Sequence, residues 1–438
     1  MKEDTPYLEI EGGFELSGEV RVSGAKNAVL PVLAATLLVP GIYRLARVPR
    51  LLDLYTMLEL LEYLGASFRW EEDLLVVDTQ RVEGWEAPYA LVSRMRGSIL
   101  VLGALTARFG RARVAKPGGC PIGPRPVDLH TRGLALMGAR VEDQNEIWVE
   151  APQGLRGAEI VLDFPSVTAT ENLLMAAVRA RGRSRIVNAA REPEVEFLGR
   201  FLEAMGAKIR GLGTGVLEIE GGRELTPPSE PVTIIPDRIE TGTYLMLAGL
   251  CGGEITVAGT EPQYLEAPLL KLREAGLEVE WEADRVYARA TGPLRPLKVV
   301  TAPYPGFPTD LQAQIMVLLT QAHGISRITE NLFKERFRHV PELQRMGADI
   351  EQEGGIAFVR GPTPLRAAEV KAHDLRAGAS LVLAALAAEG VSRVYGLEHL
   401  DRGYEALEEK LRALGARIRR RREESFAAGR PSWAARGG

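Results

Sequence analysis

The feature that most constrains this chain is an internal repeat. A tripeptide, Leu-Gly-Ala or a close variant, recurs with its glycine at 65, 138, 206, 276, 347 and 415, a spacing of 68 to 73 residues throughout. Self-similarity at a fixed period marks a fold built by repeating one supersecondary unit. Each tripeptide ends an amphipathic stretch such as TMLELLEYLGA or ALEEKLRALGA. Glycine fits there as a helix C-cap, because it enters the left-handed conformation without a Cβ penalty. Upstream in every unit lies a second helical run rich in Ala and Leu, for example NLLMAAVRARG or SLVLAALAAEG. Each such run ends at a Gly and passes into a short strand, as in GIYRLARV or GEITVAG. Alternating segments such as LEVEWEADRVYARA then read as hairpins. The predicted unit is strand–helix–strand–helix–hairpin, six times over. Its first helix, apolar all round, is expected to be buried, and its second to keep a polar face.

The sixth unit lacks a convincing second hairpin strand in ARIRRRREESFAAG, whereas the N-terminal YLEIEGG resembles VLEIEGG at the end of the third unit. Residues near the N-terminus are therefore expected to complete the last unit. The predicted organisation is two three-unit domains: residues 25–230, and residues 1–24 with 231–438. The polar, Pro-rich GGRELTPPSEP (221–231) marks the crossing, and the tail beyond Arg420 reads as poorly ordered. Units of this length exceed common solenoid repeats, and a cleft between two domains favours a ligand site over a binding array.

Composition narrows the function classes. A net charge of -4 gives no reason to expect nucleic-acid binding. Only two cysteines, Cys120 and Cys251, and five scattered histidines argue against a disulfide framework and a zinc site. MKEDTPYLEIEGG has no apolar signal region, and no apolar run reaches the ~20 residues that span a bilayer. A reducing cytoplasm is the expected compartment.

Three groups of residues could carry chemistry. The segment KPGGCPIGPRPVDLH (116–130) has four prolines and three glycines in fifteen residues, so it reads as a long loop. Cys120 sits in its middle, where Lys116 and Arg125 would lower the thiol pKa and suit it as proton donor or nucleophile. A buried, inert thiol is the alternative, and the expected state of Cys251. Second, Lys26, Arg96, Arg125, Arg376 and Arg402 recur near helix starts, where backbone donors and the helix dipole favour anions. Third, Asp310 and Asp374 stand at helix starts, as N-caps, as a general base, or as both. No phosphate-cradling GxxxxGK[ST], nucleophile elbow or metal spacing is present.

SGAKNA, PGGCPIGPRPVDLH, FPSVTATEN, NAAREPEV, PDRIETGT, PGFPTDLQAQ, RFRHVPELQRMGA, DLRAGASLVLA and DRGYE together resemble the UDP-N-acetylglucosamine 1-carboxyvinyltransferase family, from about Leu8 to Arg420. The resemblance implies an α/β fold of two inverse α/β barrel domains, each of three βαβαββ-type repeats. It implies transfer of the enolpyruvyl group of phosphoenolpyruvate to the 3′-hydroxyl of UDP-N-acetylglucosamine, the first committed step of peptidoglycan synthesis. The substrates are small molecules; no metal, organic cofactor, nucleic acid, membrane or obligatory protein partner is expected. Cys120 is implied as the acid that protonates the methylene carbon, able to form a phosphoenolpyruvate adduct and open to alkylation by the epoxide fosfomycin. Lys26, Asn27, Arg125, Arg402, Arg376 and Asp374 are implied around phosphoenolpyruvate. Arg96, Arg125, Pro126, Val127, Asp128, Leu129, Ser166, Val167 and Leu332 are implied around the nucleotide sugar, with Asp310 as base for the 3′-hydroxyl. At Thr168 the chain departs from the family, which commonly has Gly; the Thr adds a hydroxyl or merely tightens the turn. Transfer to shikimate 3-phosphate and a non-catalytic nucleotide-sugar binder are the competing expectations.

Overall fold

A computed structural model describes residues 5–117 and 127–422. Within it lie six four-stranded sheets, all of one design. In the third, Glu159–Val161 runs parallel to Arg183–Val187; that strand pairs antiparallel with Val216–Glu220, which forms a hairpin with Lys208–Arg210. The repeat count and the order of elements match the predicted unit.

The two helix types separate as their compositions require. Helix Leu375–Ala387 is buried along nearly all its length, whereas Leu52–Leu64 buries Leu54, Met57, Leu58 and Leu61 and exposes Glu59 and Glu62. The six repeat glycines have φ between 91° and 111°, the left-handed C-cap conformation. A Cβ on Gly65 would in addition stand 2.7 Å from the Arg81 carbonyl oxygen. Gly65→Ala is therefore expected to lower stability by about 1–2 kcal/mol, read as an earlier urea midpoint with an unchanged m-value.

Buried residues fall into two cores. One holds residues between Ala25 and Ile234, the other Leu8 to Val22 with Ile239 to Ile418. The chain exchanges strands between these halves. Pro6–Gly12 inserts between Gly390–Tyr395 and Arg417–Arg422 as the inner strand of the sixth sheet. Gly18–Arg21 then opens the fourth sheet beside Glu254–Ala258. Reciprocally, Val232–Thr233 opens the first sheet beside Ile42–Ala46. The crossing thus lies later than the expected boundary at residue 231, because those two residues still belong to the first sheet. The two crossing segments run side by side: the Ala25 N–H donates to the Ile235 carbonyl at 2.7 Å and the Asp237 N–H to the Ser23 carbonyl at 2.9 Å. Gly24 allows this approach, since a Cβ there would stand 2.0 Å from the Arg47 carbonyl oxygen. Arg417–Arg422 is a regular strand, and the tail beyond it lies outside the described residues. Among the described residues no helix is long and apolar enough to cross a membrane.

Candidate active site

A cavity of about 560 Å³ is lined by residues of both halves. The paired crossings position one of its lining residues, because Lys26 opens a helix directly after the bonded Ala25. Lys26 Nζ lies 2.7 Å from Asp53 Oδ2. From the other half, Arg402 Nε donates to Asp53 Oδ1 at 2.8 Å, and a terminal guanidinium nitrogen donates to Oδ2 at 3.3 Å. Asp53, in the first turn of helix Leu52–Leu64, is only 2% exposed. Burial pushes its carboxyl up, but Lys26 and Arg402 outweigh that and hold it below the usual carboxylate range. One buried carboxylate thus locks two cations from different halves at the cavity edge.

Asp310 forms the adjacent pole. Its Oδ1 lies 2.8 Å from an Arg336 terminal nitrogen, and its Oδ2 lies 3.3 Å from one of Arg376. The Asn27 side-chain amide reaches the same Oδ2 at 3.5 Å. Burial would raise the Asp310 pKa, but Arg336 and Arg376, with help from Lys26, hold it far below the ordinary range. The two readings of the carboxylates separate here. Asp374 is an N-cap, accepting from the Arg376 N–H at 3.0 Å and the Ala377 N–H at 2.9 Å, and it also lines the cavity. Asp310 makes no capping bond; it faces the guanidinium groups. Behind it, Arg376 donates to the Tyr404 hydroxyl at 3.2 Å, which also meets Thr243 and Gln314.

Three glutamates, Glu171, Glu192 and Glu194, also line the cavity. Arg238 Nε donates to Glu194 Oε1 at 2.9 Å, a second ion pair joining the halves. Glu171 is fully buried and its Oε1 has no partner among the described residues; burial, then Glu194 and Glu192, push its pKa well above normal. Burial likewise raises Glu192.

The cavity is also lined by Arg96, Leu129, Leu332, and Ser166 and Val167 at the start of helix Val167–Arg179. The Ser166 hydroxyl caps that helix, accepting from the Ala169 N–H at 3.2 Å. The structure therefore gathers Lys26, Asn27, Arg96, Leu129, Ser166, Val167, Asp310, Leu332, Asp374, Arg376 and Arg402 around one space. Val127 instead packs in the first core and Asp128 is exposed at a helix start; neither side chain lines the cavity. Cys120, Arg125 and Pro126 lie outside the described residues. Lys116, expected to act on the Cys120 thiol, is ion-paired with Asp143 at 2.8 Å. Cys251 packs against the second core, where burial pushes its thiol up to about 12. Among the described residues no group of three or more His, Cys, Asp or Glu is arranged to hold a metal ion.

Sequence reasoning missed Asp53, Arg336, Arg238 and the Glu171–Glu192–Glu194 wall. Arg336, Arg238 and the three glutamates were within reach, since they stand in the RFRHVPELQRMGA, PDRIETGT, FPSVTATEN and NAAREPEV motifs. Asp53 gave no signal beyond that of an acidic residue in a helix's first turn, which the helix dipole alone accounts for.

Comparison with known proteins bears on what this cavity serves. The family model for EPSP synthase (3-phosphoshikimate 1-carboxyvinyltransferase) matches residues 10–411. The UDP-N-acetylglucosamine 1-carboxyvinyltransferase of Thermodesulfovibrio yellowstonii is 50% identical over 415 residues, covering 94% of this chain and 99% of that protein. The Sorangium cellulosum protein of the same name is 53% identical over 411 residues, covering 93% and 97%. Among solved structures, the enolpyruvyl transferase NikO from Streptomyces tendae superposes with a TM-score of 0.86 at 29% identity, covering 96% of this chain and 100% of that one. EPSP synthase from Acinetobacter baumannii superposes at 0.73 with 18% identity, covering 95% and 100%, a likeness of fold alone. With half its residues identical to such relatives along nearly its whole length, the chain belongs to the UDP-N-acetylglucosamine 1-carboxyvinyltransferase family and has the enolpyruvyl transferase fold.

Proposed function

We propose that this enzyme transfers the enolpyruvyl group of phosphoenolpyruvate to the 3′-hydroxyl of UDP-N-acetylglucosamine, releasing phosphate. The observation that carries the reading is the convergence of Lys26 and Arg402, from opposite halves, on Asp53 beside Asp310. Four cations (Lys26, Arg336, Arg376 and Arg402) converge on two carboxylates, so cations outnumber the anions they pair with here. Such a pole suits the carboxylate and phosphate of phosphoenolpyruvate. The family relatives named for UDP-N-acetylglucosamine transfer support the acceptor.

In the proposed mechanism Asp310 accepts the proton of the 3′-hydroxyl while the Cys120 thiol protonates the methylene carbon. The freed oxygen bonds to the second carbon, giving a tetrahedral ketal that still carries phosphate. Loss of a proton from the new methyl group and of phosphate then leaves the enol ether. Ionised as it is, Asp310 is ready to accept a proton but is a weak base while Arg336 and Arg376 hold it. Substrate anions that draw those guanidinium groups away strengthen it. The two halves act as domains (residues 5–22 with 237–422, and 24–235) that close over the substrates, excluding water as Cys120 approaches.

The test is phosphate release from phosphoenolpyruvate, with UDP-N-acetylglucosamine or shikimate 3-phosphate as acceptor, for wild type and Cys120→Ala. Release with the nucleotide sugar alone, lost in the variant, is expected, together with progressive inactivation of wild type by fosfomycin as the thiolate opens the epoxide. Release with shikimate 3-phosphate instead would move the acceptor; release by Cys120→Ala at the wild-type rate would remove the thiol from its role.

A further inference from the structure

The departure at Thr168 has a physical partner. Helix Val101–Phe109 and helix Val167–Arg179 pack closely at Gly103, whose N–H donates to Asn172 Oδ1 at 2.8 Å. That bond fixes the amide, so Asn172 Nδ2 is the donor on its other side, to the Ile99 carbonyl at 2.8 Å and to His130 Nδ1 at 2.9 Å. His130 is buried, and burial, then the charge of Arg96, depresses its pKa to about 3, so the ring is neutral. With Nδ1 accepting, the single ring proton sits on Nε2, which lies 3.4 Å from Thr168 Oγ1. The Thr168 oxygen is thereby an acceptor on its buried side. Its own hydrogen meets no acceptor among the described residues, and the side chain lines the cavity.

We infer that Thr168 is a specificity-determining donor whose hydroxyl, oriented by the Asn172–His130 relay, bonds a phosphate oxygen of the acceptor's diphosphate. The inference rests on the nucleotide-sugar reading above. The diphosphate is the matching group because Thr168 stands at the second position of a 13-residue helix, where backbone donors and the helix dipole favour an anion. Arg96 lies close enough for its charge to act on His130. Burial, then Glu194 and Glu192, raise the pKa of Glu171, one turn along the helix, which weakens its opposition to an anion there. A glycine at this position would leave the His130 Nε2–H without the hydroxyl and the cavity without its donor.

The experiment is steady-state kinetics with UDP as competitive inhibitor, on Thr168→Val, Thr168→Ser and Thr168→Gly. Thr168→Val should raise both the KM for UDP-N-acetylglucosamine and the Ki for UDP about 10-fold, the cost of a hydrogen bond to a charged group. kcat and the KM for phosphoenolpyruvate should stay unchanged; any fall in thermal midpoint from the orphaned His130 Nε2–H should be shared by Thr168→Gly, and Thr168→Ser should restore both constants. Three results overturn the inference: wild-type constants in Thr168→Val; a raised KM without a raised Ki, which puts the hydroxyl on another part of the acceptor; and a defect in Thr168→Gly but not Thr168→Val, which makes the Thr a turn-tightening residue only. A wild-type enzyme indifferent to UDP-N-acetylglucosamine would overturn the reading of the reaction as well, and is recognisable by that indifference.

Discussion

Asp310→Asn is expected to slow turnover by about 10²–10⁴-fold, the usual range for losing a positioned acid–base group. The fall should appear in kcat more than in the KM for either substrate, because Asn keeps the shape and one acceptor oxygen. Arg336 and Arg376 lose their anionic partner in the variant, so affinity for phosphoenolpyruvate should hold or rise. Since those guanidinium groups keep the Asp310 carboxyl far below the ordinary range, it is ionised in the free enzyme across all practical pH. Activity per kcat/KM should therefore show no acid limb from this residue. A wild-type limb near pH 4 that vanishes in Asp310→Asn would contradict the assignment of charge made here.

Asp53→Asn should produce the largest loss of stability together with a binding defect. It removes the one anion shared by Lys26 and Arg402, each itself mostly buried. Breaking a buried pair from one side costs about 3–5 kcal/mol, since the remaining charges lose their partner. The pH dependence has a definite sign. The folded pKa of Asp53 lies below its unfolded value of about 3.9, so its contribution is fully present above that pH and is lost as pH falls through the folded value. Urea midpoints of wild type and variant should thus differ most at neutral pH and converge in acid. The KM for phosphoenolpyruvate should also rise, because the two cations no longer share a fixed position. A variant as stable as wild type at pH 7, with unchanged KM, would mean that Asp53 neither holds the halves together nor orders the anion site.

Much of this arrangement was legible in the sequence because it repeats. The six glycines announce the C-caps, and YLEIEGG betrays its pairing role by likeness to VLEIEGG. The exchanged opening strands were not legible, since Val232–Thr233 is two residues long and carries no period. For the site, the cations near helix starts stood out because several units offered one at the same topological place. What they grip did not: Asp53 and Arg402 are 349 positions apart, and nothing local in RLLDLYT reports a partner so distant. Glu171 and Glu194 stand in the FPSVTATEN and NAAREPEV motifs, but their role was hidden for another reason. An acidic residue in a helix reads as a solvated charge, and only packing reveals that these two face a cavity.

The strand exchange also sets an order of events during synthesis. Residues 25–234, with the opening strand of their own first sheet, are complete before any of the remaining units emerge, so this half can assemble early. The N-terminal strands cannot. Glu11 is ion-paired with Arg417, 406 positions later, and the strand that carries it is flanked by Gly390–Tyr395 and Arg417–Arg422. From its own synthesis until residues 390–422 are made, at the ~5–20 residues per second typical of synthesis, this alternating apolar segment waits without its partners. Two tethers then pull it home: the finished first half, joined directly behind it, and the Gly18–Arg21 strand, which docks as soon as Glu254–Ala258 appears.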